Sequence, residues 1–166
     1  REDGVRQSAE FLLSPSLGRA AYDLPSGKAL PLEEGEAGRK LRLDLPPAGG
    51  RVVIFLPEEI ESLRLDPPAA PVRGKTLRLS ARLLGRSGAP LPGVVPVEAV
   101  LLTPEGNRHD DSRYGAAIDG AWSMDLPIAY NEPPGRYSLE VRELASGRRA
   151  SAEWTLESLP AAVAQP

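Results

Sequence analysis

Along most of the chain, apolar and polar residues trade places one by one. Leu41, Leu43 and Leu45 alternate with Arg42 and Asp44, a period of two that sets one strand face in a core and the other in water. Pro46, Pro47, Gly49 and Gly50 then stop and turn that strand. Val52 to Leu56 is apolar almost throughout, the pattern of a strand covered on both faces. Upstream, Glu10 to Leu13 and Ala20 to Leu24 read as strands separated by the turn SPSLG. YDLPSGKALPL reads as a hairpin with Pro25, Ser26 and Gly27 at its tip. Ile60 to Leu65 closes this first region, residues 1–66, at about six short strands. PEEIESL is also open to a single helical turn; no longer helical period is convincing anywhere.

A second set of strands occupies residues 75–157. Leu77, Leu79, Ala81 and Leu83 point one way while Thr76, Arg78, Ser80 and Arg82 point the other. GRSGAPLPG is a turn, Val95 to Leu102 the next strand, and TPEGN its end. AAIDGAWSMDL reads as a hairpin on Asp119-Gly120, a pair that accepts the positive φ angles of a type I′ turn. Trp122, Met124 and Leu126 share a face, as do Tyr137, Leu139 and Val141. After the turn LASGR, Ala152, Trp154 and Leu156 alternate with Glu153, Thr155 and Glu157. Six or seven strands at this spacing match an immunoglobulin-like sandwich.

Between the two sets lies DPPAAPVRG, residues 66–74, with three prolines in six positions. Proline donates no ladder hydrogen bond and favours extended neighbours, so residues 67–74 are expected to form a stiff, short linker. The expected fold is all-β: two small antiparallel sandwiches in tandem, residues 1–66 and 75–157, with residues 158–166 a disordered tail. By size alone the first sandwich is marginal, so it is expected to pack on its neighbour or on sequence before Arg1.

Composition sharpens this picture in a few places. The 18 prolines and 16 glycines are spread through the 166 residues as punctuation rather than in a block. The hydrophobic fraction of 41% is that of an ordinary soluble globular protein. A net charge of -3, mixed in sign, argues against a nucleic-acid partner. The absence of cysteine excludes disulfides and thiolate metal sites, and no apolar run reaches the length of a membrane span. The chain opens on Arg1 without Met or a signal-like segment, which predicts a fragment or a processed product.

Candidate chemistry is sparse. His109, the single histidine, stands in NRHDDSRYG with Asp110 and Asp111, and Glu105 lies near in sequence. A zinc site would need further His or Cys ligands, and the run lacks the spaced oxygens of a calcium loop, so a solvated polar loop is expected. Glu33, Glu34 and Glu36 fall in a Gly-containing loop, and Glu58 and Glu59 flank a turn; nothing marks a cleft that would hold two of them as a glycosidase pair. Among eight aromatic residues, Trp122, Tyr137 and Trp154 share faces with apolar neighbours, and Phe11 and Phe55 lie in apolar runs. Tyr22, Tyr114 and Tyr130 are scattered, which does not suggest a sugar-stacking platform. Tyr137, in Pro-Gly-x-Tyr-x-Leu-x-Val, is similar to the tyrosine corner of sandwich folds. No catalytic, cofactor-binding or metal-binding residue is expected.

Two stretches carry a family resemblance. AYDLPSGKALPL with GRKLRLDLPPAGGRVVIFLP resembles the small β-sandwich that follows the catalytic barrel in many bacterial glycoside hydrolases. VRGKTLRLSARLLGRSGAPLPGVVPVEAVLLTPEGN, with GAWSMDLPIAYNEPPGRYSLEVRELASGRRASAEWTL, resembles an immunoglobulin-like or macroglobulin-like module. The order is similar to the C-terminal end of large exported bacterial proteins related to β-galactosidases, over roughly residues 5–157. The resemblance implies a non-catalytic accessory region, outside the cytoplasm or on the cell surface, whose partner is an upstream catalytic domain of the same polypeptide. The alternative is a carbohydrate-binding or cell-surface adhesion module with polysaccharide as partner. In the implied family the catalytic carboxylates lie on the barrel, and none carries over to a position here.

Overall fold

The computed structural model describes residues 7–36, 38–47 and 49–159. Thirteen strands and no helix occur among them: β1 Gln7–Leu12, β2 Ala20–Asp23, β3 Lys28–Leu30, β4 Leu32–Gly35, β5 Gly38–Leu45, β6 Val53–Leu56, β7 Ile60–Leu65, β8 Thr76–Gly85, β9 Val94–Leu102, β10 Arg113–Ile118, β11 Ala121–Pro127, β12 Gly135–Glu143 and β13 Arg149–Leu156. The chain is all-β, and its strand pairs are antiparallel. The helical turn weighed for PEEIESL is a bend that runs straight into β7. The tail beyond Leu159 lies outside the described residues.

The first six strands make two three-stranded sheets, β1-β5-β4 and β3-β2-β6. Leu13, Leu41 and Leu43 are buried between them, flanked by Leu30, Leu32, Leu45, Val53 and Phe55. The alternation read at Leu41–Leu45 is therefore the inward face of β5. Val53 to Phe55 are half-buried and Leu56 is buried, whereas Val52 precedes the strand and is exposed. Coverage of this run is partial because β6 is an edge strand, paired only with β2.

The other seven strands form one sheet in the order β13-β12-β9-β10-β11-β8-β7. Its end strands β13 and β7 touch, so the sheet rolls into two layers, β9-β12-β13 over β7-β8-β11, joined through β10. This is the immunoglobulin-like arrangement. Asp119 and Gly120 take φ of 48° and 76°, and they turn β10 into β11 as the Asp-Gly pair predicts. Between the layers, Val97, Leu101, Leu139 and Val141 are wholly buried.

Ile60–Leu65, grouped by sequence with the first region, hydrogen-bonds to β8 from Ile60 opposite Gly85 to Leu65 opposite Ala81. Residues 66–74 thus link two neighbouring strands of one sheet. The crossing between small sandwich and large sheet falls at Pro57–Glu59, between β6 and β7. Leu139→Ala, in the centre of the large core, is expected to lower the unfolding free energy by about 2–5 kcal/mol. Phe11→Ala, at a side chain 44% exposed, is expected to cost clearly less. Urea titration of both variants checks the order.

Candidate functional site

Polar side chains gather into defined geometry at the seam between the small sandwich and the large sheet, and at the far end of the large sandwich around His109.

The seam begins with β2, whose four residues are all buried. Ala20 and Tyr22 belong to the same apolar cluster as Val95 and Leu139 of the large sheet and Leu91 of the β8–β9 connection, and so does Leu56. Gly18 lies so close to Leu56 that a Cβ there would sit 1.9 Å from the Leu56 carbonyl oxygen, so only glycine fits. The Ile60 amide donates to the Tyr22 hydroxyl at 2.9 Å, and the Arg148 Nε donates to the Ile60 carbonyl at 3.1 Å. Burial, with the charges of Glu59 and Glu143 nearby, holds the Tyr22 phenol above its ordinary pKa; it stays neutral and keeps the seam free of an unpaired charge.

Around this seam two carboxylates fold turns. Glu143, wholly buried, accepts from the amides of Ala145, Ser146 and Arg148 and from the Ser146 hydroxyl. It supplies acceptors for the donors of the β12–β13 turn, which explains how a carboxyl group is tolerated in the core. Glu58 accepts from the Ser87 amide at 2.8 Å and the Ser87 hydroxyl at 2.7 Å, and Arg86 donates its amide to the Glu59 carbonyl. The β6–β7 crossing is thereby stitched to the β8–β9 turn. The Ser87 hydroxyl and then its amide hold Glu58 below the usual carboxylate pKa.

Sequence reading singled out neither Tyr22 nor Glu143 for a role. A signal for Glu143 existed: Tyr137, Leu139, Val141 and Glu143 are in phase at a period of two, which puts the carboxylate on the inward face. The signal for Tyr22 is weaker, because the contact partner Ile60 lies 38 residues away.

At the far end, His109 packs edge-on to Tyr137, with ring centroids 6.5 Å apart. Its Nδ1 accepts from the Asp111 amide at 3.1 Å. The proton of a neutral ring then sits on Nε2, which faces the Glu132 Oε1 at 3.2 Å. Tyr137 directs its hydroxyl to the Pro133 carbonyl at 2.8 Å and to the same Glu132 oxygen at 3.1 Å. The bond back to Pro133 completes a tyrosine corner, and Tyr137 stacks on Trp154 at 6.1 Å. Burial first, and Glu132 second, push the Tyr137 phenol far above its ordinary value, which unsuits it to proton transfer near neutrality. Arg73 ties the same corner from outside by donating to the carbonyls of Tyr130, Glu132 and Glu157. Both His109 nitrogens are engaged, Nδ1 by the Asp111 amide of its own loop and Nε2 by Glu132 of the β11–β12 connection. Asp111 adds a carboxylate 3.6 Å from Nδ1, yet among the described residues no group of three or more acidic or histidine side chains is placed to hold a metal ion.

Glu33 and Glu34 lie on β4 and Glu58 at the seam. Trp122, Tyr137 and Trp154 are buried, as expected from their faces. Phe11, Tyr114 and Tyr130 are exposed and lie on β1, on β10 and in the β11–β12 connection. A cleft of about 860 Å³ opens on the small sandwich beside Leu12, Ser14, Arg19 and Arg39. Arg39 is already committed there to the carbonyls of Pro15, Leu17 and Gly18. Asp23, 2% exposed, pairs its Oδ2 with Ser26 and Arg51, while Oδ1 has no partner among the described residues.

Tyr22→Phe leaves the buried Ile60 amide without its acceptor, so a loss of about 1–3 kcal/mol is expected in urea unfolding. Because the Glu58 pKa is lower folded than unfolded, its contribution is full above the ordinary value of 4.5 and fades as pH falls through the folded value. The urea midpoint should therefore drop on acidification through that range. Glu58→Gln should flatten that drop.

No protein-family model matches the chain, and no curated protein matches it in sequence. Among solved structures it is similar to a chimeric titin Z1Z2-Z1Z2 tandem functionalised with a GRGDS peptide from fibronectin, at 16% identity and TM-score 0.36, covering 93% of this chain and 92% of that one. It is also similar to the titin domains Z1Z2 solved in complex with telethonin, at 17% identity and TM-score 0.30, covering 95% and 90%. A Bacteroides fragilis protein that carries the name β-galactosidase aligns at 14% identity and TM-score 0.33, with 94% of this chain covering 30% of that one.

Proposed function

We propose that this chain is a non-catalytic accessory unit, a rigid stretch that spaces or buttresses a catalytic domain of the same exported, glycoside-hydrolase-like polypeptide. The observation that carries this reading is the seam. One apolar cluster runs from Ala20, Tyr22 and Leu56 into the large sandwich, and hydrogen bonds at Tyr22 and Glu58 cross the same line. Such a joint resists bending, which is what a spacer or buttress needs and what a flexible tether lacks. The polar clusters also favour a structural role, because Glu143, Glu132 and Tyr137 are engaged in folding turns rather than presented to a cleft. The parent enzyme and the location outside the cytoplasm rest on the resemblance of residues 5–157 to the end of β-galactosidase-related proteins.

Spin labels at the exposed positions Arg42 and Arg136 test the joint directly. A single narrow distance distribution is expected from pulsed electron resonance, and a broad one would sink the rigid-unit reading. The isolated chain should turn over no aryl glycoside above buffer. Retention on a polysaccharide affinity gel would favour the carbohydrate-binding alternative instead.

A further inference from the structure

Among the described residues, strand β10 is paired on one side only along most of its length. It meets β9 from Arg113 opposite Ala99 to Ile118 opposite Val94, but it meets β11 only at Ile118 opposite Ala121. The Asp119 amide donates to the Gly93 carbonyl, which fixes the phase of the ladder. Residues 113, 115 and 117 aim their backbone groups at β9, and Tyr114 and Ala116 aim theirs away from it. Pro96, which has no N–H to give, stands opposite Ala116, as that phase requires.

This free edge lacks the usual protection. Edge strands are normally blunted by charge, proline or a covering loop. At the edges of the two short sheets β1 carries Glu10, β3 Lys28, and β4 Glu33 and Glu34, while β6 carries no charge. From Tyr114 to Ile118, β10 holds no charge and no proline. Its outward side chains Tyr114 and Ile118 are 68% and 59% exposed, and Val94 beside Ile118 is 57% exposed, so an apolar strip borders the open edge.

We propose that this edge pairs with the same edge of a second copy, β10 antiparallel to β10 about a two-fold axis at Gly115. The choice of occupant follows from the strand's symmetry. With Gly115 opposite Gly115, each Tyr114 faces the other copy's Ala116, and these are the residues whose N–H and C=O groups are unspent, so four backbone hydrogen bonds form at once. Gly115 has no side chain to obstruct the close spacing of a non-hydrogen-bonded pair. The ring of Tyr114 then covers Ala116 of the other copy on the outer face. Beneath Gly115 lies Trp122, whose indole Nε1 is 3.4 Å from where a Cβ at Gly115 would stand. This closes the inner side of the gap and leaves the strand edge as the accessible part.

Light scattering coupled to size exclusion, on the whole chain from low to high micromolar concentration, tests this. The expected mass rises with concentration toward twice that of the monomer. Ala116→Pro deletes one donor on the solvent side, where an edge strand tolerates proline. Tyr114→Lys leaves every backbone group in place and adds a charge to each copy at the pairing site. Both variants are expected to stay monomeric across the range with a folded far-ultraviolet spectrum. A wild-type chain that stays monomeric at every concentration overturns the proposal, even if it binds an extended peptide from another protein. So does a dimer that persists in folded Tyr114→Lys, since its contact must then lie elsewhere.

Discussion

The structure depends on β2 being buried from both sides. Its Ala20 and Tyr22 enter the large core, and Ala21 and Asp23, which point the opposite way, are buried as well. A sandwich of about fifty residues whose own core centres on Leu13, Leu41 and Leu43 removes too little apolar surface from water to offset the ordering of its backbone. Sharing Leu56, Ala20 and Tyr22 with the neighbour supplies what is missing, at roughly 1.5–3 kcal/mol for each large side chain fully buried. The small sandwich is stable because it is attached.

The same economy governs the polar groups. Glu143 is wholly buried, a position that would be prohibitive for a lone carboxylate, yet it satisfies donors that the β12–β13 turn would otherwise leave unpaired. Tyr137 binds the Pro133 carbonyl and fixes how β12 begins, and Arg73 holds three carbonyls of the same corner. Each of these side chains replaces a backbone partner at a place where strands end. Chemistry-bearing residue types are present, but they are used as structural acceptors and donors.

Much of this was legible in the sequence, and the reason is local. Period-two alternation placed Leu77, Leu79, Ala81 and Leu83 inward, and all are buried; Asp119-Gly120 announced its own turn. What stayed illegible was long-range. The prolines of residues 66–74 show that no strand can run there, but not that the strands on either side are neighbours in one sheet. The pairing of Leu65 with Ala81 depends on the register of two distant segments, and no local pattern encodes it. The seam fails to announce itself for the same reason, since Tyr22, Ile60 and Arg148 come from three remote parts of the chain. At the His109 corner the polar loop was readable, whereas the approach of Glu132, 23 residues on, was not.

The bond from Arg148 to the Ile60 carbonyl sets the start of β7 beside the start of β13, and this has a mechanical consequence. Tension drawn along the polypeptide enters the large sheet at Ile60 and leaves it past Leu156, at the opposite end of the layers. The β7–β8 ladder is then loaded lengthwise, in shear, and its hydrogen bonds share the force together instead of parting one after another. A chain threaded this way is expected to resist stretching more than one whose ladder bonds part singly.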